Sequence, residues 1–391
     1  MPNHQLTTCA LLLLMSASGM CDVLSVPADH PTIEAALEAA QDGDEILVGP
    51  GVWYENLSVQ KQLTITGSGQ GVTIIDGSQP PMYSFGSCVV VSGGFTQSSE
   101  PVRFQSLTLR NGTGAQIYGV VRGGGIYSEF ARVELNQVTI ENCDVEPTNE
   151  YDSMGWGGAI CNYGGEYVIN DSILRNNSSF SHGGAIFMYG KLVLKDTLIT
   201  NNEAALKGGA IFANSVGTEL ECIESSICDN QSLYGGAFSL EQIGSLRLDG
   251  CRVNGNIAWD GAALYMDETF SVITESAFEH NVPSSDRTVI RIFDQPGVPE
   301  VLSVEVTDSL FCGANQGDWR DFILEPEPNE FLESCGLPGD LNHDGTISGP
   351  DLTILLSEWG DSGSGTKADL DCDGIVSGTD LSVLLANWQS T

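Results

Sequence analysis

A glycine-rich turn followed by a short apolar strand recurs six times between Arg122 and Met266 of this 391-residue chain. The copies begin at Gly123, Gly157, Gly183, Gly208, Gly235 and Gly261. The last five starts are 26, 25, 27 and 26 residues apart. A constant period of this size indicates a solenoid, in which each repeat forms one coil and buries its apolar residues against the next coil.

Each repeat contains two more short apolar runs after the glycine turn. In one copy these runs occupy residues 191–194 and 198–200, and the second is followed by two asparagines. No repeat has the 3.6-residue apolar period that a helix long enough for a leucine-rich or ankyrin unit would show. Three short strands per turn of about 25 residues are typical of a parallel β-helix, whose coils stack about 4.8 Å apart. We therefore predict an all-β solenoid of this class.

Stacked coils place equivalent residues in columns. One predicted column faces inward and is apolar: Ile126, Ile160, Ile186, Ile211, Phe238 and Leu264. A second predicted column lies at a turn and consists of Asn177, Asn202, Asn230, Asn256 and Asn281. Asparagine tolerates left-handed backbone angles, and its amide can bind neighbouring backbone groups.

The N-terminal part of the solenoid gives a family resemblance. Residues 29–40 predict a short capped helix, and residues 44–57 and 63–69 predict strands. This segment resembles the start of secreted, right-handed parallel β-helix proteins of the pectin-lyase-like class, which implies a right-handed coil over residues 22–335. Residues 51–55 resemble a stretch at the start of pectin methylesterases, and we interpret them as a packing motif of the first coil. Complete lyase, glycosidase or esterase motifs are not present, so we assign no catalytic residue and leave enzymatic activity open.

The residue before each glycine turn forms another predicted column. Its members are aromatic, basic or acidic: Arg122, Trp156, His182, Lys207, Tyr234 and Asp260. We expect an exposed strip, because these residues lie at a turn. Aromatic faces and charges in such a strip can stack on and orient a sugar chain. A variable, solvated turn edge is the alternative interpretation, and the sequence leaves both open.

The C-terminal part changes character and contains one sequence written twice, at residues 340–351 and 369–380. Oxygen-bearing side chains stand at loop positions 1, 3, 5, 9 and 12, and glycine stands at position 6, as in an EF-hand calcium loop. Position 7 contributes its backbone carbonyl. We predict two calcium ions, held by Asp340, Asn342, Asp344, Thr346, Ser348 and Asp351 and by Asp369, Asp371, Asp373, Ile375, Ser377 and Asp380.

Apolar residues with helical spacing follow each loop. They are Leu352, Leu355, Leu356 and Trp359, and then Leu381, Leu384, Leu385 and Trp388. A pair of such loops with exiting helices and no entering helix resembles the type I dockerin module. The resemblance covers residues 339–391 and implies calcium binding and a cohesin-like protein partner. Positions 10 and 11, which carry a Ser/Thr pair in cellulosomal dockerins, are Gly349–Pro350 and Gly378–Thr379 here.

Charge and the N-terminus indicate a secreted protein. Residues 1–21 contain a short apolar run followed by small residues, which predicts a signal peptide. No other stretch is long and apolar enough to predict a transmembrane segment. The formal charge of −37 argues against nucleic acid or anionic membranes as partners. Among eleven cysteines, we predict a disulfide between Cys312 and Cys335 and a core position for Cys222.

Two functions fit these features. In the first, the protein is a secreted, calcium-binding β-helix that interacts with or acts on polysaccharide, and its dockerin-like module docks it to a partner or surface. In the second, it is a non-enzymatic structural protein or adhesin of the cell surface. The glycine and asparagine repeats of this chain resemble those of polymorphic outer-membrane proteins, which is the basis of the second function. We favour the first.

Overall fold

Most of the chain winds into a coil of parallel strands. The computed structural model describes residues 21–78, 85–92, 100–147, 154–267, 269–284, 287–293, 304–313, 329–332, 335–361 and 366–389. The predicted signal peptide, except its last residue, lies outside these ranges. Strands of successive coils pair in parallel and in register, so the predicted parallel β-helix is confirmed. Its handedness and the domain boundaries stay predictions.

The glycine turns lead into one long column of parallel strands. Its bounds are Leu57–Val59, Val89–Val91, Ile126–Glu129, Ile160–Asn170, Ile186–Lys195, Ile211–Asn214, Phe238–Glu241, Leu264–Asp267 and Ile290–Phe293. The C-terminal halves of the long strands Ile160–Asn170 and Ile186–Lys195 belong to a second column. Its other strands are Val23–Val26, Glu45–Val48, Thr64–Thr66, Val102–Arg110, Arg132–Glu141, Glu219–Ile223, Ser245–Asp249, Ser271–Thr274 and Val304–Thr307.

A third column completes the main sheet. In chain order it contains Gly51–Trp53, Thr73–Asp76, the C-terminal halves of Val102–Arg110 and Arg132–Glu141, and then Ile173–Arg175, Leu198–Thr200, Ser226–Cys228, Arg252–Asn254, Ala277–Glu279, Leu310–Cys312 and Glu330–Leu332. A separate sheet contains Asp144–Val145, Ser178–Ser179, Glu203–Lys207, Gln231–Tyr234, Ile257–Asp260 and Val282–Pro283. A small mixed sheet contains Phe85–Gly86, Gly114–Ile117, Val120–Arg122 and Met154–Trp156.

The predicted inward column lies in the core. Ile160, Ile186 and Ile211 are register partners in successive coils, and each is at most 1% exposed. Phe238 and Leu264 continue the column and are fully buried. Cys222 is also a buried core residue, as predicted. Each coil therefore stabilises its neighbours chiefly by burying apolar area.

The asparagine column forms a buried hydrogen-bonded ladder. The side-chain amide of Asn202 donates to Oδ1 of Asn230 at 2.9 Å, and that of Asn230 donates to Oδ1 of Asn256 at 3.0 Å. The expectation of left-handed backbone angles at these asparagines is wrong. The preceding residue takes that conformation, for example Asn201 at φ 54° and Asp229 at φ 53°, because the turn comes one residue earlier than we expected.

The first coil is covered by helix α1, Ile33–Ala39, close to the predicted span. Thr32 caps its N-terminus, and the Glu55 carboxylate accepts hydrogen bonds from the backbone N–H groups of Ile33 (3.0 Å) and Glu34 (2.9 Å). Residues 51–55 thus act as a packing motif, as interpreted. Within the last described coil, the predicted disulfide joins Cys312 to Cys335.

The C-terminal module contains helices α2, Gly349–Ser357, and α3, Gly378–Ala386, each directly after a loop. Leu355 and Leu384 are buried in a small core shared by the two loops and helices. Only half of each predicted apolar helix face is buried. The remaining residues, Leu356, Trp359, Leu385 and Trp388, are 53%, 46%, 51% and 39% exposed. A module this small lacks the interior volume to bury both faces. Across the described residues, no helix has both the length and the apolar character to cross a bilayer.

Candidate functional site

The six residues before the glycine turns do form one strip along the solenoid. Parallel pairing joins Arg122 to Trp156, then His182, Lys207, Tyr234 and Asp260 in order. The expected exposure is wrong. Arg122 and Asp260 are buried at 8% and 3%, and the other four are half-buried. The strip lies in a corner, where the outward side chains of the neighbouring strand column cover it.

Aromatic rings fill this corner. Trp156 stacks flat on Phe187, with ring centroids 4.6 Å apart, and His182 meets the edge of Phe212 at 4.7 Å. Farther along, Tyr234 contacts Tyr265 at 5.1 Å. These three strip residues thus each pack on a ring of the following coil. Such pairs add stability beyond area burial and hold the strip rigid.

Charged groups are distributed along the same corner. The Arg122 guanidinium lies 5.1 Å from the ring centre of Trp156 and 5.0 Å from that of Tyr163. Lys207 forms an ion pair with Glu241. Burial, reinforced by the Lys207 charge, lowers the pKa of His182 to about 4, so this imidazole is neutral at pH 7.

Several polar atoms in the corner are buried and have no hydrogen-bond partner among the described residues. They are Nε of Arg122, Nε1 of Trp156 and Nδ1 of His182. An unpaired buried polar group costs free energy, and a bound water beside such an atom would remove that cost. The corner thus combines aromatic rings with adjacent polar atoms.

The acidic loops have the same local structure in both copies. The position-1 carboxylate accepts hydrogen bonds from the backbone N–H groups of positions 5 and 6, from Asp344 and Gly345 to Asp340 and from Asp373 and Gly374 to Asp369. In the second loop, the carboxylates of Asp369, Asp371 and Asp373 converge, with one oxygen of each within 4.8 Å of the others. Burial raises the pKa of Asp369 to about 6. An oxygen-only set of this kind suits Ca²⁺, which takes six to eight oxygen ligands.

The position-12 carboxylates lie outside that group of three and are held by backbone groups. Asp380 is fully buried and accepts hydrogen bonds from the N–H groups of Leu370 (2.6 Å), Asp371 (3.2 Å) and Ser377 (2.7 Å). Asp351 does the same in the first loop. A carboxylate has about four lone-pair sites, so three hydrogen bonds leave one for a cation.

A contact between the two modules was missed at the level of sequence. Cys372, at position 4 of the second loop, forms a disulfide with Cys228 of the solenoid. The sequence supplies only part of the signal, because strand alternation next to the inward Ile227 places Cys228 on the outer face. The complete burial of Cys228, which requires a covering partner there, is known only from the structure.

Comparison with known families assigns the C-terminal module. Residues 338–387 match the dockerin type I domain, and this span contains both acidic loops and both helices. Residues 196–214, which run from the end of the repeat that begins at Gly183 into the repeat that begins at Gly208, match the Chlamydia polymorphic membrane protein repeat. No curated protein matches the chain. The chain therefore carries a dockerin type I domain on a parallel β-helix.

Solved structures with low similarity include two pectin methylesterases and an epimerase. PemA from Erwinia chrysanthemi is 13% identical, with a TM-score of 0.35, over 81% of this chain and 94% of that chain. The carrot pectin methylesterase is 14% identical, with a TM-score of 0.38, over 81% and 89%. The AlgE6 A-module of Azotobacter vinelandii mannuronan C-5 epimerase is 15% identical, with a TM-score of 0.39, over 76% and 91%. Strand register alone establishes the fold of this chain.

Proposed function

We propose that this protein is a secreted, carbohydrate-binding β-helix that a calcium-loaded dockerin module attaches to a cohesin-type partner. The observation that carries the proposal is the duplicated loop, which matches the dockerin family and brings three carboxylates together in its second copy. Dockerin type I domains bind calcium, and one ion per loop follows from the repeated ligand pattern. Export past the cell membrane would place the module where millimolar calcium is available.

Calcium supplies the positive charge that the loops need in order to fold. Without a cation, Asp369, Asp371 and Asp373 repel one another at short distance. The module also has a core of only about nine apolar side chains, so metal binding contributes much of its folding free energy. We expect chelation to unfold residues 339–391 selectively and to leave the solenoid folded.

Calorimetric titration and limited proteolysis test the calcium assignment. The full chain, stripped with a chelator and dialysed, should take up two calcium ions, and the Asp344→Ala and Asp373→Ala variants should each take up one. Proteolytic protection of the C-terminal module should appear with the metal. Equal cleavage of the module with and without calcium would contradict this part of the proposal.

The aromatic strip supports the carbohydrate part of the proposal. A glycan array, probed with the full chain in calcium, should show binding that Trp156→Ala and Tyr234→Ala weaken. Tyr118→Ala is the matched control, since Tyr118 is an aromatic residue that is 97% exposed and lies outside the strip. Reducing-end and unsaturated-product assays on bound glycans would detect turnover. Binding that Tyr118→Ala weakens as much as Trp156→Ala would contradict a role for the strip.

A structural or adhesive role at the cell surface is the second candidate function. The repeat match at residues 196–214 is the observation that favours it. This role predicts attachment of the protein to cells or to surface proteins in the absence of glycan binding. The array and a cell-binding assay on the same preparation separate the two functions.

A further inference from the structure

The outer face of three successive coils is buried, although outward residues of a solenoid normally face water. These residues are Leu198 and Thr200, Ser226 and Cys228, and Arg252 and Asn254, all between 0% and 8% exposed. On the preceding coil, the equivalent Arg175 side chain is 45% exposed. Another part of the chain therefore covers the third strand column at these three coils, and the cover ends between Thr200 and Arg175.

The second calcium loop is the covering element. Cys372 forms its disulfide with Cys228 and packs against Leu198 in a small apolar cluster. Arg252 donates a hydrogen bond from Nη1 to the backbone carbonyl of Asp369. A Cβ atom on Gly374 would lie 3.3 Å from Cδ2 of Leu198. Loop positions 1, 4 and 6 thus all rest on the solenoid.

The first loop makes a much looser contact. Its position-4 residue is His343, which lies 3.6 Å from Glu279 of the solenoid. A cavity of about 500 Å³ separates this loop from the coils and is lined by Asp340, Leu341, Glu275, Asp308 and others. The internal duplication therefore produces two loops of the same sequence pattern in two different settings. The second loop is joined to the solenoid by a disulfide, and the first contacts it loosely through His343.

We propose that the outer face formed by these three coils is an intramolecular docking surface for the second calcium loop, and that docking holds this loop in its calcium-binding conformation. The two loops then bind calcium with unequal affinity, and the second binds more tightly. This inference rests on the proposed calcium function. Arg252 contacts a carbonyl and not a ligand carboxylate, so docking leaves the metal-binding oxygens free.

The physical basis is preorganisation. A free loop must bring its repelling carboxylates together when the ion binds, whereas a docked loop has met part of that cost beforehand. Binding and docking are then reciprocally coupled, so calcium must strengthen docking by the same factor by which docking strengthens calcium binding. Coupling of this kind is typically fivefold or more.

Single-loop variants of the full chain test the proposal. Asp344→Ala leaves the second loop to bind calcium, and Asp373→Ala leaves the first. Into each we introduce Cys228→Ser together with Cys372→Ser, which removes the disulfide without leaving an unpaired thiol. Calcium affinity, measured by calorimetry, should fall roughly fivefold or more in the Asp344→Ala background and stay within about twofold in the Asp373→Ala background. An equal loss in both backgrounds, or no loss in either, would overturn the inference.

Disulfide mapping provides an independent readout. A non-reduced digest of the wild-type chain should contain one peptide that joins Cys228 to Cys372, and its absence would overturn the docked arrangement. If neither single-loop variant with the disulfide intact binds calcium, the proposed calcium function fails and the affinity difference fails with it. The cross-linked peptide would still establish docking in that case, so the two failures are distinguishable.

Discussion

Replacing Asn230 by alanine should destabilise the solenoid more than any loss of apolar area at that site would explain. Oδ1 of Asn230 accepts a hydrogen bond from the backbone N–H of Asn202 at 3.0 Å, and Nδ2 donates to the carbonyl of Ile199 at 2.9 Å. Alanine would leave both backbone groups unpaired in a fully buried site. Each unpaired group costs about 1–3 kcal/mol, so the free energy of unfolding should fall by about 2–6 kcal/mol.

Urea denaturation followed by circular dichroism measures this change. Asn201→Gly is the matched control, because Asn201 directly precedes Asn202, the ladder partner of Asn230, and is exposed and in the left-handed conformation, at φ 54°. Glycine adopts that conformation without strain, so the control should change stability by less than about 0.5 kcal/mol. If Asn230→Ala and Asn201→Gly lower the free energy of unfolding by similar amounts, the hydrogen-bonded ladder is not the source of the stability, and the turn conformation is.

Three further changes test the coils. The free energy of unfolding should fall by about 1–2 kcal/mol as the pH drops from 6.5 toward 4, and His182 should not change it above pH 6.5. The reason is that partly exposed His182 has a pKa of about 4 in the folded chain, so the unfolded chain takes up the proton first. The urea midpoint of His182→Gln should lack the part of the pH dependence that comes from His182. Ile186→Asp buries an unpaired charge, and a soluble variant that still unfolds cooperatively would disprove the inward column. Gly209→Ala should lower the urea midpoint, since its Cβ would lie 2.3 Å from the Gly236 carbonyl oxygen, whereas Gly217→Ala meets nothing within 4 Å and should not.

Local periodicity was enough to predict the coils. Strand alternation and a constant repeat identify which residues stack, and the register of Ile160, Ile186 and Ile211 follows from counting alone. The exposure of the strip could not be predicted in this way, because side chains of the neighbouring strand column decide how much of the strip is covered. Whether His182 faces water is decided by Phe212, which lies one coil away and reaches it across a corner of the backbone. Period identifies neighbours along the solenoid axis, and it carries no information on the angle between adjacent sheets.

The calcium module shows the complementary limit of sequence reasoning. Its two loops share their ligand pattern, so a sequence argument treats them as equivalent and predicts two similar sites. Their different contacts with the solenoid come from position 4, where His343 in the first loop corresponds to Cys372 in the second. Position 4 is not a ligand position of the EF-hand pattern, so that pattern leaves it unconstrained. A residue free of that constraint is the one that can specialise for contact with the solenoid, and there Cys372 meets Cys228. Internal repeats thus lose their equivalence at the positions that their shared chemistry does not use.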